Sequence, residues 1–502
     1  MKNLLYTIIS LLTLLFAVFI FGDKLFFSPD NWEQEIADIG SASSPRAIDL
    51  TGDGVLDIVM GGGGREFAHT EYGVIAMDGQ NGELLWSVPA RNQVVGSPVF
   101  LDINKDGTPD VIIGGRTAIL FAINGKTGEL FWEFMPSYEG IDIVNDPSIL
   151  NFYSPQLIPD QDGDGLMDIL TAYGGFIKAP PTETDRPVGS LMVISSKDGS
   201  TLAKAAVPDG KETYMSPLVY DFNSDGELSL LFGTGGETNN GNFYKSSVQS
   251  VMDEDLSGAK VLANGRGKGF IGPAVLAHMN DDEIKDIIVN SVNGTVFCIN
   301  GSTDEILWET NLGDEFEGYT SPAPGNFNND KTTDFFVSYG HGIWPAIDFS
   351  YQAVIDGRDG SVISADTAGT FQYASPVTFD FNRDGKDDAL VIINNQEEQT
   401  IGMASFNVYV NEMLVFDPHS ETQFRFHQKK SGSNLGSTPL LTDLDGDGYH
   451  DIIYVYMNDP VNYYSFKSIT IERIELDIRL DGPIRWGEYM GPRYNGVYID
   501  SR

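Results

Sequence analysis

Short apolar runs recur along most of the chain, separated by polar stretches rich in Gly, Asp and Asn, which is the pattern of many buried strands joined by turns. The runs come in a fixed order. First comes Ser-Pro or a close variant, at Ser44-Pro45, Ser97-Pro98, Ser154-Pro155, Ser216-Pro217, Gly272-Pro273, Ser321-Pro322, Ser375-Pro376 and Thr438-Pro439. An acidic stretch of the type Asp-x-Asp-x-Asp-Gly-x-x-Asp follows, starting at Asp49, Asp102, Asp160, Asp221, His278, Asn326, Asp380 and Asp443. Each runs into a buried strand such as Val111-Ile112-Ile113, then a third such as Leu120-Phe121-Ala122-Ile123, and in several copies a fourth that ends in Trp86, Trp132 or Trp308.

Four strands per repeat, at a spacing of 48–63 residues, predict an all-β fold. The spacing suits an eight-bladed β-propeller of four-stranded antiparallel blades over residues 28–482, with seven blades as the alternative. Trp32 stands as far before Ser44 as Trp86 stands before Ser97, within a residue, so the N-terminal strand is expected to complete the last blade and close the ring. A strand around Trp486 competes for that place, and residues 483–502 are read as a C-terminal tail or closing strand.

The acidic stretches place side-chain oxygens at positions 1, 3, 5 and 9 around a glycine turn, a donor set that suits Ca2+. An EF-hand is excluded, because position 12 is Met60, Ile113, Val391 or Tyr454 within apolar strands rather than glutamate. Five loops carry the set: Asp49, Thr51, Asp53 and Asp57; Asp102, Asn104, Asp106 and Asp110; Asp160, Asp162, Asp164 and Asp168; Asp380, Asn382, Asp384 and Asp388; Asp443, Asp445, Asp447 and Asp451. The loops at 221–229, 278–286 and 326–334 are degenerate, with Ser229, His278 and Lys331 at positions that the motif gives to acid, acid and glycine.

These motifs resemble the FG-GAP/VCBS repeats of integrin alpha-chain propellers and bacterial surface proteins, and the outer strands around Ala122–Trp132 resemble quinoprotein-like propellers. The resemblance implies calcium sites that stiffen one face while a partner binds the other. The long insertions between second and third strands fall on that other face, carrying Phe67, His69, Tyr72, Phe176, Phe243, Tyr244, His341, Trp344 and Phe349. Tyr138 lies in an insertion between fourth and first strands. Trp344, His341, Phe67 and Tyr244 are the candidate ligand residues.

Composition narrows the partners. A net charge of -41 repels phosphate backbones and excludes nucleic acid. The single cysteine, Cys298, sits in an apolar run and reads as a buried hydrophobe, so disulfides contribute nothing within the chain. Lys2 and the apolar run Leu4 to Phe21 read as a signal peptide or signal anchor over residues 1–27, with membrane anchoring as one outcome and an extracellular, cell-surface or periplasmic location in either case. The expectation is an exported, non-enzymatic binding or adhesion module for a protein or glycan. A calcium-dependent polysaccharide lyase with His69 or His341 as base is the alternative, and a quinoprotein dehydrogenase is disfavoured by the lack of a vicinal cysteine pair.

Overall fold

The computed structural model describes residues 31–499 apart from 66, 135–140, 281, 329, 345, 402–403, 421, 464–465 and 481, so the N-terminal apolar run and Tyr138 lie outside the described residues. Eight antiparallel sheets follow one another, each built on four strands, in sequence order in the first seven; those of blades 3, 6 and 7 gain a short extra strand. Blade 1 is Arg46–Ile48, Asp57–Gly61, Thr70–Met77 and Leu84–Ala90, and it sets the pattern for the others. The second and third strands are buried along nearly their whole length because neighbouring blades cover both of their faces, which accounts for the continuous apolar runs. Among the described residues no helix is long and apolar enough to cross a membrane.

The last blade is composite. Leu440–Thr442, Tyr449–Met457 and Ser468–Arg479 come from the C-terminal repeat, and Trp32–Ala37 pairs antiparallel with Ser468–Arg479 as its outermost strand. The ring is thus an eight-bladed propeller closed by the N-terminal strand.

Two repeated hydrogen bonds join blade to blade. On the outside, each tryptophan gives its indole N–H to the turn after the third strand of the next blade: Trp32 to Gly79, Trp86 to Gly125, Trp132 to Ser196 and Trp308 to Gly357, at 2.7–2.9 Å. A glycine at positive φ in each of those turns, Gly82, Gly128, Gly199 or Gly360, lies so close to the incoming ring that a Cβ would stand 2.5–2.8 Å from it. On the inside, the N–H of Ser44 donates to the Ser97 hydroxyl, Ser97 to Ser154, Ser321 to Ser375, Ser375 to Thr438, and Thr438 back to Ser44. The Ser-Pro motif therefore does more than start a strand, since its hydroxyl links blades around the axis.

Trp486 does not close the ring. Residues 484–499 cross the central axis instead, where Trp486 is 1% exposed. The carbonyls of Trp486 and Gly487 accept from Thr378 and Leu441, Tyr489 from Arg46, Tyr494 from Gln156, and Gly496 from Leu276. The innermost strands of blades 7, 8, 1, 3 and 5 all contact this segment. Arg46 is buried beside the half-buried Glu488, and the Arg46 guanidinium lies over the Tyr494 ring, 3.8 Å from its centre.

Burial pushes the Glu488 carboxyl up to about 8, although Arg46 pulls the other way. Against an unfolded value of about 4.3, the folded chain holds the extra proton between the two pKa values, so stability falls as pH rises through that window. Glu488→Gln is expected to gain melting temperature over the wild type as pH rises from 5 to 8 and to hold the gain above, as thermal denaturation across pH will show.

Candidate functional site

All eight acidic stretches lie between the first and second strands of their blades, at one end of the ring. In the six loops that begin with aspartate, that first carboxylate accepts from a glycine N–H of its own loop: Asp49 from Gly54, Asp102 from Gly107, Asp160 from Gly165, Asp221 from Gly226, Asp380 from Gly385 and Asp443 from Gly448, at 2.8–3.1 Å. Each of these loops thus turns its glycine N–H back onto its first carboxylate. Backbone donors hold the Asp160 carboxyl below the usual carboxylate range, so it stays ionised.

The ninth-position aspartate does something the sequence pattern did not reveal. Asp57, Asp110, Asp168, Asp286, Asp388 and Asp451 are buried, and each accepts from the N–H of loop position 2, namely Leu50, Ile103, Gln161, Met279, Phe381 and Leu444. Asp57 and Asp110 also accept from Gly79 and Gly125, and Asp334 accepts from Gly357, in the turn that receives the tryptophan of the preceding blade; Asp286 accepts from Gly301 in the equivalent turn, which receives Lys245 instead. Asp286 keeps both contacts in the loop headed by His278. The last acid of the motif is thus a backbone anchor, in loops with and without a cation donor set.

Fitness for a cation varies. In blade 3, ligand atoms of Asp160, Asp162 and Asp168 lie within 4.8 Å of one another, and the buried Asp168 Oδ1 and Asp164 Oδ2 accept no hydrogen bond. Lys197 Nζ stands 3.8 Å from Asp164. Three converging acids with two unused buried carboxylate oxygens in the loop fit Ca2+, and this is the best-formed set. In blade 2 the Asn104 amide turns its N–H to Asp106, and in blade 7 Asn382 turns its own to Asp417. Thr51 and Asp53 of blade 1 are exposed, with Asp53 bonded to the Val55 N–H. Burial, then the Asp417 charge, pushes Asp388 up to about 8.

Blades 6 and 8 carry internal cations. Asp330, Asp334 and Asp356 cluster in blade 6, where Arg358 pairs with Asp330 (3.0 Å) and Asp356 (2.7 Å), and burial pushes Asp334 up to about 7. Asp443, Asp445 and Asp451 cluster in blade 8, where Arg473 pairs with Asp445 (2.6 Å) and Asp451 (2.9 Å). Asp447 accepts from the Tyr449 N–H. Burial pulls the Arg473 guanidinium down, and its carboxylate partners outweigh that and hold it above its ordinary value.

On the opposite face the insertions surround a funnel of about 1040 Å³ centred on the axis. Its floor is the Ser-Pro ring (Ser44, Ser97, Ser154, Ser216 and Ser375) with Tyr489 of the axial segment. Its wall holds aromatics on one side, where Trp344 packs edge-on against Tyr373 and Tyr373 against Tyr319, and on the other Tyr153 against Tyr214. Arg65, Arg116, Arg186 and Glu237 also line it. Tyr214 donates to the buried Glu212 at 2.5 Å, and Arg186 lies 3.6 Å from the same carboxylate. Burial, then the Glu212 charge, raises the Tyr214 hydroxyl far above its ordinary value, so it stays a donor.

Of the candidate ligand residues, Trp344 and Phe67 line the funnel, and Phe67 carries Lys178 over its ring. His341 stacks on Phe349 and bonds Asp348 outside it, and His69 pairs with Glu71. Neither histidine is at the acidic-loop end of the ring. Tyr244 is 4% exposed and stacks on Phe232 inside its blade, because the third strand begins at Asn242 and takes Tyr244 out of the insertion. The sequence pattern missed Tyr153, Tyr214, Tyr319 and Tyr373. Their signal was their place one or two residues before each Ser-Pro, where the chain turns over the mouth.

Fold and site together define an eight-bladed β-propeller with acidic loops on one face and an aromatic funnel on the other. No family model matches the chain, so the FG-GAP/VCBS resemblance rests on its residues. The chain is 21% identical to Protein FAM234B of Homo sapiens in an alignment 374 residues long that covers 69% of this chain and 56% of the relative. It spans a little over half the length of the curated relatives it matches. Among solved structures it is similar to the rhamnogalacturonan lyase YesW (TM-score 0.53, 12% identity, covering 95% of this chain and 80% of that one) and to the quinohemoprotein alcohol dehydrogenase of Comamonas testosteroni (TM-score 0.54, 10% identity, covering 90% and 77%). At such identities these likenesses show the fold alone.

If the ninth aspartate is an anchor, Asp286→Ala should cost about 1–3 kcal/mol of stability, the range for an unmade bond at a buried polar group. The loss should be the same in calcium and in chelator, as denaturant titration under both conditions will show.

Proposed function

We propose that the protein is an exported, non-enzymatic glycan-binding propeller, in which calcium held by the acidic loops stiffens one face and the funnel on the other takes the ligand. The observation that carries this reading is the funnel itself. It joins aromatic platforms at Trp344, Tyr373 and Tyr319 to guanidinium, carboxylate and hydroxyl groups at Arg186, Glu237 and Tyr214. Sugar rings offer C–H faces to the first set and hydroxyls to the second. Loops held by a rigid scaffold suit such recognition.

In the calcium part of the reading, Asp160, Asp162, Asp164 and Asp168 would hold an ion in blade 3, and the loops of blades 1, 2 and 7 would do so with their equivalent residues. The ion would offset carboxylates that otherwise repel one another. Export is supported by the run Leu4 to Phe21 after Lys2. The likeness to YesW keeps a lyase in view, but His69 and His341 lie outside the funnel lining, and the raised Tyr214 hydroxyl makes a poor base.

Screening the full chain on acidic and neutral glycans in calcium should yield a ligand. Trp344→Ala and Tyr373→Ala should each weaken it about tenfold, roughly 1.4 kcal/mol, without lowering the melting temperature. Affinity indifferent to both variants would count against the funnel. Unsaturated products during polysaccharide digestion would replace the binding reading with the lyase. Chelator should lower the melting temperature of the wild type.

A further inference from the structure

The loop at 443–451 has the complete acid set, and its carboxylates gather as those of blade 3 do. Its surroundings differ. Arg473, on the third strand of the same blade, is 1% exposed and reaches into the cluster, with Nη2 2.6 Å from Asp445 Oδ2 and Nε 2.9 Å from Asp451 Oδ1. Asp451 Oδ2 already accepts from Leu444 N–H, so both oxygens of that carboxylate are engaged. In blade 3 the equivalent Asp168 keeps Oδ1 without a hydrogen bond.

We infer that the acidic loop of blade 8 holds a guanidinium where the repeat would otherwise hold calcium, so that the seam of the ring is closed by a cation of the chain itself. Calcium needs six to eight oxygens at about 2.3–2.6 Å. To assemble them here it would have to displace a buried arginine or sit beside its positive charge, and either is costly. The planar fork of arginine matches two carboxylates at once, which lysine or a hydrated ion does less well.

The third donor of the fork shows what the exchange achieves. Arg473 Nη1 reaches Gly79 O of blade 1 at 3.3 Å, and the same carbonyl accepts the Trp32 indole at 2.9 Å. Trp32 is the register partner of Arg473 on the closing strand. One residue therefore ties the acidic loop of the last blade, the closing strand and the first blade together. Blade 6 repeats the device in exposed form, with Arg358 and Asp356 of the turn after its third strand meeting Asp330 of the loop where Lys331 replaces glycine. The seam stays shut when calcium is withdrawn, while the loops of blades 1, 2, 3 and 7 loosen.

This inference rests on the calcium reading for its contrast, and two readouts separate them. The first is bound calcium per chain by equilibrium dialysis for wild type, Asp168→Asn, Asp445→Asn and Arg473→Gln. Asp168→Asn should lose one ion, Asp445→Asn none, and Arg473→Gln should gain one that a second Asp445→Asn change removes; an ion lost from Asp445→Asn alone overturns the inference. The second is hydrogen exchange of the Trp32–Ala37 amides in the full chain. Protection should survive chelator in the wild type and in Asp168→Asn and fall in Arg473→Gln with chelator, and if Arg473→Gln does not fold, Arg473→Lys replaces it. Chelator-sensitive protection in the wild type overturns the inference. A wild type that takes up no calcium sinks the calcium reading alone, and the exchange arm then decides this one.

Discussion

The rest of the structure depends on hydrogen bonds that pass from blade to blade and, at the seam, from the last blade to the first. Serine N–H groups hand on to the next hydroxyl near the axis, and tryptophan indoles hook the next turn at the rim. A four-stranded blade alone has two open edges and two apolar faces, so it gains little by folding by itself. The neighbour supplies the missing face, and in a ring every blade has two neighbours. That is why second and third strands carry runs of Val, Ile and Phe rather than an alternating pattern, and why the glycines under the tryptophans have no room for a side chain.

The same constraint explains why the acidic loops persist in blades where the cation set has decayed. Their ninth residue fastens the loop to the turn that receives the tryptophan of the preceding blade, as Asp57 does at Gly79 and Asp334 does at Gly357. Loop, turn and tryptophan form one unit of the inter-blade joint. A cation at the head of the loop would brace that joint from the solvent side. Where an arginine already braces it, as in blade 8, the charge is supplied from within.

Repetition made the fold legible in the sequence. Ser-Pro, acidic loop, apolar strand and tryptophan recur in register, and the spacing of Trp32 was enough to place the closing strand. What repeats could not show was whatever departs from them. Arg473 meets Asp445 and Asp451 through the pairing of two strands, and nothing in the local sequence marks it. Trp486 looks like another blade tryptophan, yet it packs on the axis because no edge is left to receive it. Tyr244 was misplaced because the third strand begins at Asn242, ahead of the expected boundary. The funnel wall draws on loops from separate blades, so its tyrosines come together only once the ring is closed.

The axial segment has a further consequence, for the order of events in folding. In a linear repeat array each unit answers to its neighbours, and structure can spread from any point. Here Arg46 reaches Tyr489 across 443 residues of sequence, and the same short segment touches blades that are far apart around the circle. Contacts of that separation form late, after every blade exists. The hub therefore couples units that would otherwise melt one by one, and a nascent chain, however many blades it has made, stays uncommitted until the axial segment follows them.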